Sequence, residues 1–166
     1  MITSNEVSID NIDKKIMSLL QRDPSITHTE IAKEVNRSQP TIGLRIKKLK
    51  KAGIMNFQAG LNLKVADVLI ARVDLQTTNP EKVLNEIKEC PYVINGFKLS
   101  GTYNLSLLIA NSTLKHIDII INEHLRNDPD VQKIHMEIVT NIINDFVLPI
   151  NINSKKCKCD EKFESH

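Results

Sequence analysis

The hydrophobic pattern of this 166-residue chain changes part-way along, and this change constrains the fold more than any other feature. Up to Gly53, apolar residues recur at spacings of three and four, which places them on one stripe of successive helices. From residue 66 onward, short strand-like runs alternate with two helical segments. The sequence therefore predicts a helical unit followed by a mixed unit that contains a sheet.

Three helices are predicted in the first unit. The first ends at Pro24, since proline cannot continue a helix. The second begins at Thr27, whose hydroxyl can cap it while Glu30, three residues on, returns the bond as a capping box requires. The third begins at Ser38 and is closed by Gly53, which can adopt a left-handed conformation.

The third helix has an uneven charge distribution. Residues 38 to 53 contain five of the 22 basic side chains and no acidic one, and residues 27 to 53 sum to +5 against −3 for the rest. Two short helices joined by a turn of about three residues, with a basic outer face on the second, indicate a helix-turn-helix unit. Such a helix would meet base edges and phosphates of double-stranded DNA, although a solvated helix face or a protein-binding domain is the alternative. The outward positions are Pro40, Thr41, Leu44, Lys47, Lys48 and Lys51, with Arg45 beside them.

The second unit has the element order strand, helix, strand, strand, helix, strand, which is the ferredoxin-like βαββαβ arrangement. The whole chain is thus predicted to be α+β, with an N-terminal winged-helix-like helix-turn-helix domain followed by a ferredoxin-like domain. Both helices should cover one sheet face, and we expect apolar side chains on the other face to join two copies in a homodimer. The predicted boundaries are 1–55 for the DNA-binding domain, 56–65 for a linker strand, 66–150 for the ferredoxin-like domain and 151–166 for a mobile tail.

Several classes of protein are disfavoured by composition. No window approaches the roughly 18 consecutive apolar residues of a membrane span, and the N-terminus lacks a secretory apolar region, so we expect a cytoplasmic protein without a membrane partner. The three cysteines do not suggest a disulfide framework. Cys157 and Cys159 could bind a soft metal or form an intermolecular disulfide, but a CxC pair lacks the second half of a closed zinc site. Cys90 is interpreted as a packing residue at a helix end, and no metal site, cofactor or catalytic residue is predicted.

The segments "IDNIDKKIMSLLQRDPSITHTEIAKEVNRSQPTIGLRIKKLKKAGIM" and "LSGTYNLSLLIA" resemble the Lrp/AsnC family of feast/famine transcriptional regulators. The resemblance implies a sequence-specific regulator, not an enzyme, that binds pseudo-palindromic promoter DNA as a dimer or as tetramers or octamers of the same chain. It also implies that the ferredoxin-like domain binds a small effector such as an amino acid. By this resemblance the DNA-binding residues include Ser38, Gln39, Thr41, Arg45 and Lys48, and the effector-binding residues are Gly101, Thr102, Tyr103 and Asn104. Lys47 and Lys51 of the basic face complete a set of seven predicted DNA-binding residues.

A second family with the same architecture offers an alternative function. The run "YNLSLLI" also resembles a strand of siroheme decarboxylases. Those enzymes typically have a His-Asn-Tyr run before that strand and a tryptophan within it, whereas this chain has Asn95-Gly96-Phe97 there and no tryptophan anywhere. The sequence therefore favours the regulator.

Overall fold

The computed structural model describes residues 8–150 and 157–164, and it divides into two compact units, Met1–Gln58 and Ala59–His166. The first unit contains the three predicted helices. Their bounds are α1 (Asn11–Arg22), α2 (His28–Glu34) and α3 (Gln39–Lys51).

Local hydrogen bonds fix where these helices begin and end. The predicted capping box at the start of α2 is confirmed, since Thr27 and Glu30 bond reciprocally. Ser38 occupies the N-cap position of α3, but its hydroxyl lies 2.7 Å from that of Thr41 and makes no capping bond. Gly53 has φ of 67°, as predicted for the residue that closes α3.

The helices of the first unit enclose a small apolar core. From α3, Ile42, Ile46 and Leu49 are buried, which confirms the predicted inward stripe. The turn before α3 passes through Asn36, whose φ of 51° is left-handed, a conformation that asparagine tolerates better than most residues. The remaining core is contributed by Ile16, Leu19, Leu20, Ile31, Ala32 and Val35.

The second unit has the predicted βαββαβ order within a four-stranded antiparallel sheet, whose strand order is β3-β4-β2-β5. A two-stranded ladder of β1 and β6 was not predicted; within the expected linker strand 56–65, only Leu61–Asn62 pair. The bounds are β1 (Leu61–Asn62), β2 (Leu69–Thr77), α4 (Pro80–Ile87), β3 (Val93–Lys98), β4 (Leu105–Asn111), α5 (Leu114–Ile121), a π-helical turn (Asn122–Arg126), β5 (Val131–Ile138), β6 (Val147–Leu148) and α6 (Lys158–Glu164).

One face of the sheet packs under α4 and α5. Val73 of β2 lies opposite Leu107 of β4 and Met136 of β5, so that these three side chains share the covered face. Val83 and Ile117 of the two helices are buried against it. This face holds the core of the second unit.

The other face is more polar than the sequence analysis expected. Arg72 of β2 is ion-paired with Asp74 at 3.2 Å and with Glu137 at 2.7 Å, and Ser106 donates a hydrogen bond to Asp74. The strand LIARVDLQT alternates, so that Ala71, Val73 and Leu75 enter the core while Arg72 and Asp74 point outward. Apolar surface remains only in part: at Phe97, which is 46% exposed, and around Leu108.

The structure also differs from the predicted mobile tail of residues 151–166. Lys158–Glu164 form α6, which packs against α5, and the side chain of Cys159 is fully buried. Residues 151–156 and 165–166 lie outside the described residues. Within the described ranges, no helix is both long and apolar enough to span a membrane.

Candidate functional site

The outer face of α3 is the strongest candidate for a nucleic-acid interface. Gln39, Lys47, Lys48 and Lys51 are exposed there, and Leu44 is 70% exposed among them. No ion-pair partner of Lys47 or Lys51 occurs in the described parts of the chain. Two unpaired ammonium groups on one helix face are available to phosphates.

Two further α3 cations contact other parts of the first unit. The Lys48 ammonium donates a hydrogen bond to the Ser8 carbonyl at 3.3 Å, and this contact is exposed. The Lys50 ammonium lies 5.0 Å from the centre of the Phe57 ring, in a cation–π arrangement. Neither contact buries the charge, so both ammonium groups keep access to solvent.

Arg45 is also on α3, but it is turned toward α1. Its Nη1 lies 2.7 Å from Asp13 and 2.8 Å from Asp10. The Asp13 side chain is only 3% exposed, whereas that of Arg45 is 26% exposed. Hydrogen bonds from the Asp13 backbone N–H and then from Arg45 lower the pKa of Asp10, and both carboxylates raise the pKa of Arg45. The pair therefore joins α3 to α1, a contact that the sequence analysis missed.

The seven residues predicted to bind DNA therefore separate into two groups. All seven lie on α3 or at its N-cap, and five of them are exposed. Thr41 and Arg45 are half-buried. The Asp-x-x-Asp spacing at the start of α1 was the only sequence signal for the pair with Arg45, and it predicts a cap more readily than a partner on another helix. The exposed members are Ser38, Gln39, Lys47, Lys48 and Lys51.

The predicted effector residues form the turn between β3 and β4. Gly101, Thr102 and Tyr103 are exposed, and the Tyr103 ring lies 6.2 Å from that of His135 on β5. The Asn104 side-chain amide, in contrast, bonds the backbone of Thr77. Its oxygen accepts a hydrogen bond from the Thr77 N–H at 3.0 Å, and its nitrogen donates one to the Thr77 carbonyl at 2.7 Å. Asn104 thus holds the turn against the end of β2.

A buried polar atom lies next to the two hydrogen bonds between Asn104 and Thr77. Gln76 precedes Thr77, faces Lys133 in the register of β2 with β5, and has a buried Oε1 for which the described residues supply no hydrogen bond. A buried carbonyl oxygen without a partner is unfavourable by about 1 to 3 kcal/mol, so a bound donor at this position would relieve it. No pattern in the sequence distinguishes Gln76 from the other polar residues of β2.

A mainly apolar groove of about 460 Å³ lies on the polar sheet face, between side chains of β2 and β4 and the segment that follows β5. Leu108 lies at the sheet end of this groove, and Ile143, 85% exposed, lies in the segment that follows β5. Exposed apolar surface of this kind favours association. The other apolar lining residues are Ile70, Val139, Ile142 and Phe146.

Three cysteines and a histidine meet between α4, the π-helical turn and the tail. The Sγ atoms of Cys90, Cys157 and Cys159 and one nitrogen of His124 all lie within 4.8 Å of one another. A hydrogen bond from Cys159 lowers the pKa of Cys90, and the same bond, together with burial, raises the pKa of Cys159. The packing role predicted for Cys90 is confirmed by its place in the core. Its sulfur also belongs to a polar group of four side chains, here called the thiol cluster.

Both units match known protein families. Residues 9–54 match the family model of winged helix-turn-helix DNA-binding domains, and residues 68–147 match that of the Lrp/AsnC ligand binding domain. An HTH-type transcriptional regulator of Pyrococcus horikoshii, PH0140, is 23% identical over 147 residues, which cover 84% of this chain and 90% of that protein. The first match covers α1–α3, and the second covers the four-stranded sheet.

Solved structures share this architecture. The structure of Escherichia coli AsnC has a TM-score of 0.70 at 19% identity, over 84% of this chain and 99% of that one. A transcriptional regulator of Neisseria meningitidis, solved as a complex with L-Met, has a TM-score of 0.68 at 22% identity, over 87% and 98% of the two chains. At these identities the likeness establishes the fold.

Proposed function

The chain belongs to the Lrp/AsnC family of DNA-binding transcriptional regulators, and we propose that it binds pseudo-palindromic promoter DNA sequence-specifically, as a homodimer. The observation that carries this proposal is the outer face of α3, where exposed lysines surround polar side chains and no carboxylate intervenes. A recognition helix of this charge is attracted to duplex DNA whatever its sequence, and specificity then depends on the side chains that reach base edges.

The side chains on α3 have different proposed roles. Gln39 and Thr41 lie in the first turn, which is the part of a recognition helix that contacts base edges. Lys47, Lys48 and Lys51 are placed along the following turns and neutralise phosphates. Arg45 holds α3 against α1 through its ion pairs with Asp10 and Asp13. We therefore assign it a positioning role in place of the base contact that the family resemblance implied.

The proposal is tested by selecting bound sequences from random duplexes with the full-length protein at about 0.15 M salt, where weak phosphate-only binding is suppressed. We expect a pseudo-palindrome with half-sites about one helical turn apart, or a multiple of that. In the dimer, Lys47→Ala combined with Lys51→Ala removes four phosphate contacts, so the slope of log affinity against log salt should become shallower by about 4, without a change in the selected motif. Lys88→Ala, which removes one positive charge per chain at the exposed C-cap of α4, is the control for loss of charge away from α3 and should leave the slope unchanged. Recovery of no motif would contradict sequence-specific binding.

A homodimer is supported by the second unit. The apolar groove at Leu108 and the half-exposed Phe97 lie on the uncovered side of the sheet, flanking the ion pairs of Arg72. A second copy placed on this side would bury both apolar areas and could satisfy charges across a two-fold axis. The same arrangement would present two copies of α3 to a pseudo-palindromic site.

We further propose that a small amine-bearing effector, of the amino acid class, binds beside the Gly101–Asn104 turn. The unsatisfied Gln76 Oε1 supports a hydrogen-bond donor there, and the exposed Thr102 and Tyr103 supply polar atoms nearby. Asn104 acts by holding the turn in place. The DNA-binding measurement repeated with each of the common amino acids tests this proposal. If none of them shifts the affinity, an amino acid effector is contradicted.

The relatives with matching domains are transcriptional regulators, and we infer that this chain acts in the cytoplasm by binding and not by catalysis. The enzyme alternative requires a tetrapyrrole to bind. Incubation of the purified protein with siroheme, followed by absorption spectroscopy and product analysis, distinguishes the two. A stable tetrapyrrole band with turnover would contradict our inference.

A further inference from the structure

The thiol cluster brings four side chains together from three separate parts of the second unit. Cys90 follows α4, His124 lies in the π-helical turn after α5, and Cys157 and Cys159 belong to the tail. Cys90 is 2% exposed and Cys159 is fully buried. His124 and Cys157 are half-buried, and one His124 nitrogen, Nε2, lies 3.1 Å from the Cys157 sulfur.

The chemistry of these side chains is that of a closed zinc site. A tetrahedral Zn²⁺ with ligands at about 2.0 to 2.3 Å holds its ligand atoms roughly 3.5 to 3.8 Å apart. The four ligand atoms here all lie within 4.8 Å of one another, so small rotations of the side chains suffice to bind the ion. We propose that Cys90, His124, Cys157 and Cys159 bind one Zn²⁺ ion with four protein ligands and no open position. This proposal is independent of the DNA-binding function.

Simple packing does not account for the cluster. Buried cysteines behave as small apolar residues, and one or two of them in a core need no further explanation. Here an imidazole nitrogen is directed at a sulfur, and every cysteine of the chain converges on the same point. The π-helical turn that carries His124 is a rare local structure, which is found mostly at functional positions.

A second group of possible ligands shares Cys159 but is less suitable. His116, Cys159 and Asp160 also lie close together. However, Asp160 accepts hydrogen bonds from the Tyr92 hydroxyl and the Cys157 N–H. The His116 ring stacks on Phe163 at 4.5 Å. These contacts hold α6 in place, and they leave the thiol cluster as the site for the metal.

A bound zinc ion would tie the tail to the rest of the second unit. Helix α6 has seven residues, which is too short to be stable alone in water. Two of the proposed ligands, Cys157 and Cys159, lie at its N-terminal end, while the other two belong to the helical layer over the sheet. Loss of the ion would therefore weaken the docking of α6, and would make the bond after Lys158 more accessible to trypsin.

The test is the metal content of the full-length protein without a histidine tag, purified under reducing conditions. We expect about one Zn²⁺ per chain, released as the thiolates are protonated or alkylated. Replacement by Co²⁺ should give thiolate-to-metal charge transfer and the strong visible bands of tetrahedral cobalt. Cys90→Ser and His124→Gln should each lower zinc content to below about one fifth of wild type and speed tryptic cleavage after Lys158.

Two histidine variants serve as controls. His116→Gln removes the histidine of the competing group and its stacking on Phe163, but none of the four proposed ligands, and His135→Gln changes an exposed histidine on β5. Both variants should retain the metal. Loss of zinc in His116→Gln with retention in Cys90→Ser would assign the metal to the competing group and overturn the proposal. Zinc content below about one fifth of an equivalent in wild type, with no tetrahedral cobalt spectrum, would also overturn it. A disulfide between any two of the three cysteines, trapped by alkylation in a parallel preparation isolated without reductant, would do the same.

Discussion

Replacing Arg45 with alanine should destabilise the first unit and not erase its DNA specificity. The substitution leaves the Asp13 carboxylate, 3% exposed, without its guanidinium partner. Breaking a buried ion pair in this way is unfavourable by about 3 to 5 kcal/mol. Since Arg45 is 26% exposed and Asp10 is 50% exposed, water screens part of the effect, and we expect about 2 to 3 kcal/mol.

For a unit of this size, such a loss corresponds to a fall in Tm of roughly 8 to 24 °C. Hydrogen exchange of the full-length protein, read by mass spectrometry, would resolve the amides of α1 and α3 and should show faster exchange in both. DNA binding measured where the unit is still folded should change by the same factor on specific and random duplexes. Lys48→Ala is the matched control, because this exposed lysine lies three residues further along α3, and its removal should change stability by less than about 0.5 kcal/mol.

A double-mutant cycle isolates the pair. When Asp13 is already asparagine, Arg45→Ala should be less destabilising than in wild type, by about 1 kcal/mol or more. The reasoning would be refuted if Arg45→Ala left exchange unchanged and weakened binding only to the selected motif. That result would show that Arg45 reads a base.

Two further predictions concern association and pH. Leu108→Asp places a carboxylate in the groove and should convert the proposed dimer into monomers in analytical ultracentrifugation. Leu114→Asp, on the exposed side of α5, should leave the dimer intact. An unchanged dimer in Leu108→Asp would exclude this sheet face as the dimer interface. Hydrogen bonds from the Asp13 N–H to Asp10 and from the Thr27 hydroxyl to Glu30 lower both carboxyl pKa values. Because the folded values are depressed, the stability these groups contribute is present above about pH 4 and is lost as the pH falls through the folded values. The free energy of unfolding by guanidinium, followed by circular dichroism, should fall between pH 7 and pH 2, and the fall should be smaller in Glu30→Gln. A free energy of unfolding that did not change over this range would show that these carboxyl groups do not contribute to stability.

What could be predicted from the sequence was mainly local. The capping box of Thr27 and Glu30 and the turn at Gly53 involve residues within one helical turn, and both occur as expected. The alternation of polar and apolar residues in β2 was also present in the sequence, whereas the sheet face not covered by helices was predicted to be apolar. Arg72 and Asp74, two residues apart, are the signal that identifies the polar face.

The contacts that were missed join residues far apart in the chain. Arg45 pairs with carboxylates 32 and 35 positions earlier, and nothing in the local pattern distinguishes it from the lysines that follow. The thiol cluster is similar, since Cys90 and His124 approach the tail only once α4 and α5 have packed on the sheet. A CxC pair in isolation therefore gave no reason to predict a docked helix.

The position of β5 in the sheet has a consequence for synthesis on the ribosome. Central strand β2 pairs with β4 on one side and with β5 on the other, and β5 ends at Ile138. The sheet therefore cannot be completed until the chain has grown about 80 residues beyond the first unit, which takes roughly 4 to 16 s at ordinary rates of translation. The three-helix unit needs no later residue for its core, so it can fold during this interval. A nascent chain would then carry a finished recognition helix before the second unit could pair with another copy.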